Sequence, residues 1–341
     1  MNIENFYLNK KEAFRRANIS RFVLIEDTRC IDPSCHWRMF ITNQWSLEKD
    51  ENFASYIDFG KEVICSFLST AFESSFIRII GKRLLREVST IDWIRAKISK
   101  INCRVLDYDY QNHEDNLDKT TILCVSNDQK IISYILVLKN ADHLFIVNAS
   151  SPAINYKLVA NDFSVITDSF RLINLKNGFA EPIERYKLNS QPLISFLRPL
   201  TWEVVKKDFN ILSEDCSGTR LKNRLNGNSI GWIDVIYFMK NILNPKEVLI
   251  KYYKNLSEKD GCFISGSLFS EYLVDSHNTT YLCTPTGKHG KNRISIVSVI
   301  LVKNGFFSLI SMTSLPRDEC PDEWAINKKT YEIIRDSLKI N

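Results

Sequence analysis

The chain carries one five-residue pattern twice. Thr120-Thr121-Ile122-Leu123-Cys124 recurs as Thr279-Thr280-Tyr281-Leu282-Cys283, and each copy follows another cysteine, Cys103 or Cys262, by 21 residues. Downstream, Lys139-Asn140 and Lys303-Asn304 precede Pro152 and Pro316 by the same distance, with Ile146 over Ile310 and Ser150 over Ser314. Each copy closes on Asp-Ser-apolar-basic-apolar, as Asp168-Ser169-Phe170-Arg171-Leu172 and Asp336-Ser337-Leu338-Lys339-Ile340, and Trp45 and Trp202 mark the upstream edges. A repeat of this span predicts two tandem lobes of one architecture. It carries no chemistry of its own.

The length agrees, because 341 residues exceed the size at which one hydrophobic core usually stops growing. The expected divisions are an N-terminal extension over 1–36, a first lobe over 37–175, a linker over 176–195 interrupted by Gly178, Pro182, Asn189 and Pro192, and a second lobe over 196–341. With 44% hydrophobic residues and only 11 Gly and 9 Pro, little of the chain is expected to stay unfolded. A net charge of +5 is small for this length and argues against a nucleic-acid-binding protein. No run of apolar residues is long enough to cross a membrane as a helix, and the N-terminus lacks the apolar core of a secretory signal. Nine cysteines, an odd number without dense spacing, fit free thiols in a reducing compartment, so a cytoplasmic location is expected.

Residues 1–19 read as a surface helix with Lys10, Lys11, Arg15 and Arg16 on its polar face. A strand follows from Arg21 to Ile25. The spacing of Val63, Ile64, Phe67, Leu68 and Ala71 predicts a helix over 58–72, and Trp232, Val235, Ile236, Met239 and Ile242 predict its partner, stopped at Asn244-Pro245. Apolar runs separated by polar turns then predict antiparallel strands near 103–106, 120–125, 131–138 and 144–148, and near 262–264, 280–283, 294–302 and 306–311, with Asn304-Gly305 as the strongest hairpin signal. Helices over 160–172 and 327–338 close the lobes. The fold class is therefore α+β, each lobe an antiparallel sheet with packed helices.

This order of elements resembles the PsbP-like fold, a group that includes Eag-type chaperones of bacterial secretion and a Ran-binding nuclear-import factor. Trp45, Pro152 and Ser169-Phe170 carry the resemblance in the first copy; Trp202, Pro316 and Ser337-Leu338 carry it in the second. The tandem copy departs from the single-lobe form of that group. The resemblance implies a non-catalytic protein that uses its sheets or helices to hold a partner.

Three clusters remain as candidates for chemistry. Cys30, Cys35 and His36 are the densest set of potential metal ligands, and a thiol beside an imidazole is also the raw material of a cysteine nucleophile. Neighbouring side chains on an extended segment point apart, which weighs against Cys35 and His36 acting together. Thr286-Gly287-Lys288-His289-Gly290-Lys291 lacks the spacing of a phosphate loop and reads as an enlarged hairpin tip, on which Lys288, His289, Lys291 and Arg293 form a basic knob suited to an acidic partner. The paired cysteines at 103/124 and 262/283 read as small core thiols.

The resulting expectation is a cytosolic, non-catalytic protein-binding module: an adaptor, chaperone or immunity-type inhibitor whose partner is a secreted effector or secretion component. No cofactor is expected. The alternatives are a metal- or cysteine-dependent hydrolase centred on Cys30, Cys35 and His36, and a weak binder of nucleic acid or anionic membrane.

Overall fold

A computed structural model describes residues 21–48, 63–101, 103–112, 118–128, 130–176, 178–188, 193–209, 212, 216–225, 227–238, 244–265, 269–275, 278–303 and 306–340. The chain forms two compact units, Met1–Leu85 with Ser89–Ala180, and Arg86–Val88 with Glu181–Asn341.

In the first unit, β1 (Phe22–Asp27), β2 (Trp37–Thr42) and β10 (Arg171–Leu172) make a small sheet in the order β1-β2-β10. The large sheet contains β3 (Trp45–Leu47), β4 (Val63–Ser69), β5 (Phe76–Arg83), β6 (Cys103–Asn112), β7 (Asp118–Ser126), β8 (Ile131–Asn140) and β9 (His143–Pro152). Its order is β3-β4-β5-β9-β8-β7-β6. Alternation along β9 turns Phe145, Val147 and Ala149 toward Phe163, Ile166 and Phe170 of α2 (Ala153–Ser169) and its C-cap, in one apolar core. The opposite face meets α1 (Thr90–Ile98), whose first residue donates its N–H and Oγ1 to Asp118 on β7 at 2.9 and 2.6 Å.

The second unit repeats this plan. Its small sheet is β11 (Ile183–Leu188), β12 (Ile194–Pro199) and β22 (Lys339–Ile340), ordered β11-β12-β22. Its large sheet runs β13 (Glu203–Val205), β14 (Cys216–Leu225), β15 (Asn228–Phe238), β21 (Phe306–Ser314), β20 (Asn292–Lys303), β18 (Asn278–Cys283) and β17 (Phe269–Asp275). Helix α3 (Pro245–Asp260) covers one face through Val248, Leu249, Tyr252 and Leu256, and α4 (Pro321–Ser337) covers the other through Tyr331 and Ile334. Two strands have no counterpart among the described residues of the first unit: β16 (Cys262–Ser265) pairs with β19 (Thr286–His289), which pairs with β20.

Strand order and register confirm the duplication. Cys124 lies opposite Ser133 and Ser133 opposite Ser150; Cys283 lies opposite Ser298 and Ser298 opposite Ser311. The two serine hydroxyls bond across the strands at 2.8 Å in one unit and 2.7 Å in the other. Ser169 Oγ accepts the N–H of Phe40, and Ser337 Oγ that of Leu197. Both tryptophans are buried at the start of the large sheet, Trp45 opening β3 and Trp202 immediately before β13.

Several expectations are corrected. Within 58–72 the described residues hold strand β4 over 63–69, and 232–238 is strand β15; both expected helices are absent from these described residues, β15 because its apolar positions serve two buried faces, and β4, of which only Phe67 is buried, because its helical spacing is coincidental. Residues 239–243 lie outside the described residues, as do 1–19 and Asn304-Gly305. Asn244-Pro245 does not stop a helix but starts α3: the Asn244 side chain accepts the N–H of Lys246, and proline occupies the first turn, where its missing N–H costs nothing. Within the expected linker, 183–188 is β11, and within the expected extension, β1 pairs along the whole of β2. The β20–β21 hairpin closes at Lys303 and Phe306, two residues nearer the serine pair on each strand than the closure at Asn140 and His143. That shortening makes Ser311, not Ser314, the equivalent of Ser150. Cys103 and Cys262 also part company, one on β6 beside β7 and the other on the added β16.

Candidate functional site

The added β16–β19–β20 ribbon presents one cross-strand row to solvent. Phe263 stands opposite Lys288, and Lys288 opposite Arg293, so the three side chains share a face. Phe263 is 75% exposed, an unusual place for a phenylalanine in the middle of a paired strand. Lys291 lies in the turn beside Gly290, whose φ of 60° suits glycine. Arg293 already holds Asp318 and Glu319 at 3.1 and 2.9 Å. Lys288 and Lys291 are exposed and have no ion pair among the described residues. His289 separates from this group: it lies opposite Cys262 on the inner face, its ring edge-on to Trp232 at 5.8 Å. The basic knob therefore consists of Lys288 between Phe263 and Arg293, with Lys291 in the adjoining turn, while His289 sits on the other face, itself exposed and with its ring against Trp232.

Behind the ribbon the second unit buries charge. Arg220 on β14 donates to both Asp234 oxygens at 2.7 Å and to both Asp260 oxygens at 2.8 and 3.0 Å. Lys207 pairs with Asp260, and Tyr252 OH donates to Asp234 at 2.8 Å. Burial works against the Arg220 charge, but the hydrogen bonds from Asp234 and Asp260 outweigh it and hold its pKa above the ordinary arginine value. Asp260 is likewise desolvated, yet Arg220 and Lys207 hold its pKa below the carboxylate norm. In the first unit the positions equivalent to Arg220 and Asp234 are Leu68 and Phe76. An adjoining cavity of about 530 Å³ is lined by Lys206, Lys207, Lys222 and Lys259 as well as Arg220 and Asp260.

The cysteine cluster of the first unit lies on a short turn. Asp32 caps it, its Oδ1 accepting the N–H and Oγ of Ser34 at 2.9 and 2.7 Å, which holds its carboxyl below the usual range. His36 Nε2 is 2.8 Å from the Cys30 carbonyl oxygen, so the imidazole is committed to backbone. Burial, with Cys30 and Asp32 nearby, pushes the Cys35 thiol up to about 11, the reverse of what a nucleophile requires. The chain instead brings His143, at the start of β9, to Asp32 and Cys35: one ligand atom from each lies within 4.8 Å of the others. Sequence reasoning could not find His143, which stands alone more than a hundred residues downstream.

No protein-family model matches the chain, and no curated protein matches it in sequence. Solved structures are similar to it. They include the solution structure of PsbP from the cyanobacterium Synechocystis, 12% identical, covering 46% of this chain and 95% of that one with a TM-score of 0.33. A Pseudomonas aeruginosa protein of unknown function, described as a putative regulator, is 12% identical over 43% of this chain and 94% of its own, with a TM-score of 0.22. The apo immunity protein TplEi of a type VI secretion system from Pseudomonas aeruginosa is 10% identical over 95% of this chain and 98% of its own, with a TM-score of 0.23. The PsbP-like resemblance drawn from the sequence thus meets a PsbP among these structures. Among the described residues no helix is long and apolar enough to cross a membrane.

Proposed function

We propose that this chain is a non-catalytic protein-binding module that holds an acidic surface of a partner protein on the β16–β19–β20 ribbon of its second unit. The observation that carries the reading is Phe263, exposed beside Lys288, which stands between it and Arg293 on a ribbon with no counterpart among the described residues of the first unit. An apolar ring supplies contact area at little entropic cost, while the surrounding cations steer an acidic partner and set its register. The adaptor, chaperone and immunity-type roles expected from the sequence are all forms of this one act, and a secreted effector or secretion component is the partner class they imply.

Affinity copurification from the native cell tests the reading. A partner recovered with the parent chain should be lost with Phe263→Ser and with Lys288→Glu/Lys291→Glu, and retained with Lys187→Glu, a charge reversal at an exposed site elsewhere. The lysine pair should weaken binding at least tenfold, roughly 1.4 kcal/mol. Equal recovery with all three folded variants would remove the ribbon as the binding face.

A further inference from the structure

We infer that Asp32, Cys35 and His143, joined by Cys30, form a zinc-type metal site in the first unit. The ligand atoms of the first three lie within 4.8 Å of one another. Cys30 lines the same cavity as Cys35 and His143, but its thiol lies outside the 4.8 Å group and must swing in to supply a fourth donor. Tetrahedral bonds of about 2.0–2.3 Å place ligand atoms roughly 3.3–3.8 Å apart, so an adjustment of about 1 Å closes Asp32, Cys35 and His143 on an ion, and Cys30 moves further to complete the four. Two thiolates, an imidazole and a carboxylate are soft to borderline donors, which favour zinc and cobalt over magnesium or calcium.

The surroundings are built to hold these groups still. The turn is tied to the far end of the β8–β9 hairpin and to the segment after β10: Asn140 Nδ2 donates to the carbonyls of Ser34 and Asn174 at 2.9 and 3.0 Å, and Asn174 Nδ2 donates to that of Pro33 at 3.2 Å. Lys176 N–H in turn donates to Asn140 Oδ1 at 2.7 Å. The Asp142 carboxylate lies 3.2 Å from His143 Nδ1 but off the line of a hydrogen bond, leaving that buried nitrogen without a hydrogen-bond partner.

Charge is balanced as well. Two thiolates and a carboxylate carry three negative charges against two on the ion. Cys30, Cys35 and His143 face a cavity of about 640 Å³ whose lining also includes Arg29, Lys82 and Arg83. Arg29 and Arg83 are held by Asp27 and Asp142, so among the described residues of this lining Lys82 is the cation that offsets the surplus. The ligands must lose their thiol protons on binding, so affinity rises with pH.

Cobalt(II) titration of the reduced full-length chain tests the site, because thiolate ligation produces a sulfur-to-cobalt charge-transfer band in the near ultraviolet. One equivalent should generate that band together with tetrahedral visible absorption, and zinc should displace it. Cys35→Ser and His143→Gln should each weaken cobalt binding at least tenfold, the loss expected when an inner ligand is removed. His36→Ala should bind as the parent does. Zinc should raise the melting temperature of the parent and not of Cys35→Ser, a readout that also reports whether the variant is folded. Absence of the charge-transfer band, parental affinity in His143→Gln, or loss of binding in His36→Ala would each overturn the assignment.

Discussion

The guanidinium of Arg220 grips the carboxylate of Asp234 through two parallel hydrogen bonds of 2.7 Å, on adjacent strands and almost wholly out of water. Removing one member strands the other. Arg220→Leu or Asp234→Phe alone should therefore destabilise the second unit by roughly 3–5 kcal/mol. The double variant, which installs the Leu68–Phe76 pair of the first unit, should cost less than either single change, leaving Lys207 with Asp260. Urea melts of the three variants decide this; additive losses would mean that the pair contributes no mutual compensation.

Ser337 accepts the backbone N–H of Leu197 across 140 residues of chain at 2.8 Å. Ser337→Ala leaves that N–H without its partner and should cost about 1–2 kcal/mol. Hydrogen exchange should show faster opening at Leu197 than in the parent. Unchanged exchange there would show that water replaces the hydroxyl without loss.

A β-carbon at Gly287 would lie 2.4 Å from the Phe263 carbonyl oxygen, and backbone cannot step aside as a side chain can. Gly287→Ala should therefore separate β16 from β19 while sparing the rest of the second unit. Amide exchange should accelerate across 262–265, and partner binding through the Phe263 face should fall with it. Protection equal to the parent's would show that the ribbon accommodates the methyl group.

Stability should fall as pH rises above about 9. Burial pushes the Cys65 thiol up to about 12, with Asp27 adding to it, and Cys262 up to about 11, both from an ordinary value of 9.0. Folded chains thus retain protons that unfolded chains release, and the stability present below about pH 9 drains away toward pH 12. The buried hydroxyls of Tyr134, Tyr156 and Tyr331, also pushed up by burial, act with the same sign. Denaturant midpoints measured across that range should fall less steeply in Cys65→Ala; identical slopes would exclude the Cys65 thiol as a contributor.

The repeat itself determined that there would be two units of one plan, and the period-two runs determined most of the antiparallel strands, because strand pairing writes alternation into local sequence. The terminal serine of each unit was legible for the same reason: Ser169 and Ser337 make one hydrogen bond that both copies need. Local spacing could not separate an apolar strand from a helix, so the doubly covered β15 and the half-exposed β4 both read as helices, while the cap at Asn244 read as a stop. The basic ribbon was visible as an insertion, but Phe263 entered it only through pairing with Lys288, and His289 left it through contact with Trp232. Asp32, Cys35 and His143 meet only because the β8–β9 hairpin returns to the turn after β1, and Arg220 finds Asp234 and Asp260 only across neighbouring strands and a helix end. Proximity between residues far apart in the chain depends on register and layer packing, and those are properties of the folded sheet.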